Sequence, residues 1–101
     1  MSAQNLKKLF TATFEISGKV QGVYFRKYTE NFAKGLGIRG WVMNTSHGTV
    51  KGQMEGNEKQ LVEMKKWLTE TGSPKSQIEN ASFSDLAQIR QFTFKSFVVK
   101  H

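Results

Sequence analysis

The chain has 101 residues, with 15 Lys and Arg against 8 Asp and Glu, a formal net charge of +7, no Cys and one Pro. A chain of this length is one domain whose core needs no disulfide or metal staple, and the lack of Cys excludes disulfide scaffolds, thiolate zinc sites, iron–sulfur clusters and cysteine nucleophiles. The positive charge favours an anionic ligand, without choosing among nucleic acid, an anionic membrane face and a phosphorylated small molecule.

Residues 1–8 read as a flexible N-terminal tail and 9–101 as the domain. No apolar run approaches the roughly 20 residues that span a bilayer, and the first eight residues lack the apolar stretch of a leader. A cytoplasmic protein without membrane association is therefore expected. From Leu9 to Ser17, Phe10, Ala12, Phe14 and Ile16 alternate with polar residues, the period of a half-buried strand. Gly18 to Gly22 breaks that pattern as a loop. Tyr28, Phe32 and Leu36 then recur every four residues, with Ala33 beside them, which predicts an amphipathic helix to about Leu36, closed by Gly35 or Gly37. Ile38–Met43 and Thr49–Glu55 read as two strands joined by the turn residues Asn44 to Gly48.

Asn57-Glu58-Lys59-Gln60 has the form of a capping box. It opens a helix lined by Leu61, Met64 and Leu68 that stops near Thr71-Gly72, before Ser73-Pro74. Gln77 to about Phe83 is a further strand candidate. Ile89-Arg90-Gln91 leads into a last strand, with Phe92, Phe94, Ser96 and Val98 on one face and Thr93, Lys95, Phe97 and Val99 on the other. Strand–helix–strand–strand–helix–strand is the α+β, ferredoxin-like sandwich: a βαββαβ order with an antiparallel sheet and two helices on one face. In this arrangement the strands flanking the first helix are expected side by side. The fold serves many functions, so function must come from a site.

Most chemistries lack the residues they need. The histidines are His47, in a turn, and His101, and the only Asp is Asp85, so a Ser-His-Asp triad has little to draw on. No His spacing or acidic run suits a metal. His47 reads as a solvated turn residue, and the Glu residues as solvated surface charges rather than a paired-carboxylate site.

The stretch Gly18-Lys19-Val20-Gln21-Gly22-Val23-Tyr24-Phe25-Arg26 runs from a strand through a Gly-bracketed loop into a helix start. Free N–H groups and the positive end of the helix dipole gather there. Two Gly let successive N–H groups point into one concavity, which can hold a phosphate. Arg26, about one turn into the helix, can fork two oxygens of the same anion. On the residues alone, a Gly-dependent packing loop with Arg26 on the surface is an equal reading. The stretch is neither a Walker A loop nor GxGxxG. Asn44, closing a strand before the turn, is either an ordinary turn residue or an amide that holds a water beside a bound phosphoryl group.

Together these stretches resemble the acylphosphatase family. Gly18 to Arg26 is similar to its first signature, Gly-x-Val-Gln-Gly-Val-x-(Phe or Tyr)-Arg. Gly40-Trp41-Val42-Met43-Asn44, with Gly48, Val50 and Gly56 at the family spacing, is similar to its second. The resemblance covers about Leu9 to the last residue. It implies hydrolysis of the carboxyl–phosphate bond of acyl phosphates without metal, cofactor or phosphoenzyme. It implies Arg26 and Asn44 as catalytic residues, binding phosphate and orienting water respectively. The phosphate-binding loop it implies comprises Val20, Gln21, Gly22, Val23, Tyr24, Phe25 and Arg26, with Val20 shaping the cradle. The implied partners are a small acyl phosphate and inorganic phosphate as product and competitive inhibitor. Neither nucleic acid nor a membrane is expected, and the chain is expected to act as a monomer. Two departures stand out: Met43 where a basic residue is common, and His101 at the last position where an aromatic Tyr is common. Arg39-Gly40-Trp41-Val42 bears a faint likeness to the basic-Gly-aromatic start of the ribonucleoprotein motif, but the aromatics that should follow are missing.

Overall fold

The computed structural model describes residues 8–101, so the tail expected at 1–8 lies outside the described residues except for Lys8, which is exposed. The elements are β1 (Leu9–Lys19), α1 (Phe25–Leu36), β2 (Arg39–Asn44), β3 (Val50–Gly56), α2 (Glu58–Glu70), β4 (Gln77–Phe83), β5 (Ala87–Ile89) and β6 (Phe97–Lys100). The strands form one sheet in the order β4-β1-β3-β2-β6, and the short β5 pairs with β1. β1 can be 11 residues long because it is paired along both edges, with β3 on one side and with β4 and then β5 on the other.

Both helices pack on one face of this sheet, as expected for the ferredoxin-like α+β class. Ala12, Phe14 and Ile16 of β1 project into the core to meet Val42, Val50, Met54 and Phe97 from the sheet and Phe25, Ala33, Leu61, Met64 and Leu68 from the helices. Gly52 lies between Phe14 and Val42 in the strand register, where a Cβ would come within 2.5 Å of the Phe14 ring. The capping box at α2 is present as expected: Asn57 Oδ1 accepts from Gln60 N–H, and Gln60 Oε1 accepts from Asn57 N–H, both at 2.8 Å.

Five expectations change. β3 stands between β1 and β2, so the strands flanking α1 are not neighbours; each finds its hydrogen bonds on β3 instead. The sheet is antiparallel except along its β2–β6 edge, which is parallel from Gly40↔Phe97 to Met43↔Lys100. The inward stripe of α1 is Phe25, Thr29 and Ala33, while Tyr28 is 44% exposed. The buried hydroxyl of Thr29 is tolerated because it donates to the Phe25 carbonyl at 2.7 Å. Phe32 sits at the stripe's margin, stacked on Trp67 with ring centroids 5.2 Å apart.

The last strand begins at Phe97 rather than near Phe92. Glu55 is not the solvated surface charge expected: it is buried, and its carboxylate accepts from the backbone N–H groups of Thr93 and Phe94 and from the Thr93 hydroxyl. Arg39 lies over the Phe92 ring and donates to the Phe94 carbonyl. Those bonds hold residues 92–94 off the strand ladder. The register then turns Phe97 fully inward and leaves Val98 exposed, and the segment before it contributes the extra strand β5.

The strand directions set up the site. β1 and β2 are each antiparallel to β3, and β6 is parallel to β2. β1, β2 and β6 therefore all end at the same end of the sheet. The loop after β1, Asn44 at the end of β2, and His101 after β6 converge there.

Candidate active site

The loop after β1 is pinned at both ends by apolar anchors: Val20 and Phe25 are each 1% exposed, and Phe25 packs against Trp67. Between them the backbone twists through positive φ at Gly22 (74°) and Tyr24 (58°). Alternation between left- and right-handed conformations turns successive N–H groups toward one side, the geometry of an anion nest. Tyr24 precedes α1 and provides no side-chain cap. The first backbone bond of the helix runs from Tyr28 N–H to the Tyr24 carbonyl. Among the described residues, the N–H groups of Gln21 through Arg26 meet no protein acceptor. A run of unaccepted donors at a helix start attracts negative charge.

Four of these six residues, Gly22, Tyr24, Phe25 and Arg26, line a cleft of about 490 Å³. Of the sequence-predicted residues, Val20, Gly22, Tyr24, Phe25, Arg26 and Asn44 line it. Lys27, Val99 and His101 line it too, although no motif marks them. Arg26 Nη1 donates to His101 Nδ1 at 3.4 Å. Arg26 joins no ion pair among the described residues, so the rest of its guanidinium fork is available to an anion.

Asn44 is half-buried. Its Oδ1 is fully buried and has no hydrogen-bond partner among the described residues. A buried acceptor left unpaired costs free energy, and the residue that carries it lines the cleft. A side-chain amide at this place can hold a water beside a bound anion.

Two predicted loop residues lie elsewhere. Val23 turns into a neighbouring groove. The Gln21 side chain ties the loop to the turn after Asn44: its Nε2 donates to the carbonyls of Thr45 and Thr49, at 3.0 and 2.9 Å. Thr45 N–H closes the same turn on the Thr49 carbonyl at 2.8 Å. From the other side, Thr49 Oγ1 donates to Glu15 Oε2 at 2.6 Å, and His47 Nε2 lies 3.2 Å from that oxygen. The hydrogen bonds from Thr49 and then from His47 hold the Glu15 carboxyl below its ordinary pKa. The His47 side chain is 69% exposed, so it reads as a solvated turn residue that also touches Glu15. Sequence spacing alone gives no sign that Gln21 braces Asn44. Among the described residues no three His, Asp or Glu side chains gather as a metal-binding group.

The acylphosphatase family model matches residues 12–99. The chain is 46% identical over 92 residues to acylphosphatase-1 of Gallus gallus, covering 91% of this chain and 93% of that one. It is 43% identical over 100 residues to acylphosphatase-2 of Homo sapiens, covering 99% and 98%. Among solved structures, an acylphosphatase from Coxiella burnetii superposes with a TM-score of 0.82 at 32% identity, covering 93% of this chain and 95% of that one.

Proposed function

Since the chain belongs to the acylphosphatase family and hydrolyses acyl phosphates to a carboxylate and inorganic phosphate, we propose that the loop from Val20 to Arg26 holds the phosphoryl group and that Asn44 orients the attacking water. The observation that carries this reading is the meeting, in one cleft, of loop residues with unaccepted N–H groups, the Arg26 fork and the Asn44 side chain. The loop N–H groups and Arg26 neutralise the phosphoryl oxygens. The Asn44 side-chain amide hydrogen-bonds a water and aims a lone pair of that water at phosphorus. The water oxygen bonds to phosphorus as the bond from phosphorus to the acyl oxygen breaks. The departing carboxylate is a stable anion that needs no general acid. The water's proton passes to a phosphate oxygen of the substrate itself. Positioning and charge stabilisation therefore supply the catalysis, as in phosphoryl transfer generally.

Val20 and Phe25 act through packing, holding the loop's shape, and inorganic phosphate, as product, occupies the same cradle and competes with substrate. Every group in this scheme comes from one chain, which supports action as a monomer. We place that action in the cytoplasm, in keeping with a chain that has no Cys. No helix among the described residues is long and apolar enough to cross a membrane.

Benzoyl phosphate hydrolysis in excess metal chelator tests the scheme. Turnover with competitive inhibition by phosphate is expected; a folded protein that leaves benzoyl phosphate intact overturns it. Gln21→Ala probes the brace on Asn44. Displacing a reacting group by about 1 Å costs on the order of 100-fold in rate, so a fall in kcat between roughly tenfold and that limit is expected. The inhibition constant for phosphate should move far less, because Gln21 acts there through its backbone.

A further inference from the structure

We propose that the groove between Tyr24 and Tyr28 is an acyl-group subsite that favours planar, aromatic acyl phosphates. The proposal rests on the assignment of the phosphoryl group to the adjoining loop. A second cavity of about 230 Å³ opens beside the phosphate cleft, lined by Gly22, Val23, Tyr24, Tyr28, Pro74 and Lys75. Gly22 and Tyr24 line both spaces, so a molecule anchored by its phosphate in one reaches directly into the other.

In-line attack gives this contact a direction. The leaving carboxylate departs on the side of phosphorus opposite the water. Asn44, which would hold that water, lines the cleft but not the groove.

The chemistry of the walls then selects the occupant. Tyr24 is 79% exposed and Tyr28 44%, an unusual outlay of aromatic surface for residues that close no core. Tyr24, just before α1, and Tyr28, in its first turn, both line the groove. Tyr24 is also the only non-glycine residue with positive φ among the described residues. That backbone state, which disfavours a residue with a Cβ, carries its ring to the rim shared by the two cavities. Pro74 adds a rigid apolar surface and Lys75 a cation at the groove's edge. A flat π-system linked to the acyl carbon extends along this path toward the two tyrosines, whereas an acetyl group offers them a single methyl. The first family signature leaves position 24 variable, so chemistry at this site can differ without disturbing the phosphate loop.

The test compares kcat/KM for benzoyl phosphate with that for acetyl phosphate in the wild type, Tyr24→Ala, Tyr28→Ala and Tyr24→Phe. Ala keeps the Cβ at position 24 and removes only the ring. Aromatic contacts of this kind correspond to roughly 2- to 10-fold in binding. The preference for benzoyl over acetyl phosphate should fall by that factor in each Ala variant, chiefly through KM for benzoyl phosphate, and Tyr24→Phe should keep it. A preference that stays at the wild-type value in both Ala variants overturns the subsite. So does a loss that falls equally on the two substrates, since that marks a change in the loop. Phosphate inhibition of the wild type is measured alongside; its absence would instead remove the phosphate-loop assignment, and the subsite with it.

Discussion

Arg26→Ala is expected to lose acyl phosphate hydrolysis by a factor on the order of 10³ or more in kcat/KM, the scale on which an arginine counts in phosphoryl transfer. A methyl group cannot fork two phosphoryl oxygens or offset their charge. Inhibition by inorganic phosphate should weaken in parallel, because product and substrate present the same oxygens to the guanidinium. The fold should survive: Arg26 forms no ion pair among the described residues and makes one long contact, to His101. Arg26→Lys keeps the charge but loses the fork, so it should recover only part of the rate. Unchanged turnover in a folded Arg26→Ala protein would refute the assigned role.

Asn44→Ala separates water positioning from phosphate binding. Removing one preorganised hydrogen-bonding group from a transition state costs about 10²- to 10³-fold in kcat, and that loss is expected here. The phosphate inhibition constant should stay close to that of the wild type. Stability gives an independent reading. Asn44 Oδ1 is buried without a partner, so its removal relieves an unsatisfied acceptor rather than breaking a bond. Urea denaturation should find Asn44→Ala at least as stable as the wild type. A variant that loses activity without losing stability marks a group kept for function at the fold's expense. If phosphate inhibition disappeared together with turnover, Asn44 would be contacting the anion itself.

Several elements were legible because their signals are local. The alternation from Phe10 to Ile16, the Asn57–Gln60 capping box with its Leu61–Met64–Leu68 stripe, and the strand over Gln77–Phe83 all stand where the sequence places them. The face of α1 was not legible. Tyr28, Phe32 and Leu36 satisfy the helical period as well as Phe25, Thr29 and Ala33 do, and a buried Thr gives no apolar signal. The start of β6 was hidden for a different reason: the carboxylate that takes the Thr93 and Phe94 amides belongs to Glu55, 38 residues upstream of Thr93.

The site divides along the same line. The Gly-bracketed loop and Arg26 could be named as candidates because backbone curvature, a helix start and a fork-shaped cation are properties of one short stretch, whereas Asn44 was singled out only by the resemblance of the two signatures to the family. The brace from Gln21 to Thr45 and Thr49, the unpaired oxygen of Asn44, the arrival of Lys27, Val99 and His101 at the cleft, and the groove beside Tyr24 could not be named. They depend on β3 lying between β1 and β2 and on β6 running parallel to β2. Strand partnering is settled by contacts across the whole chain, and it decides which distant side chains meet at the end of the sheet.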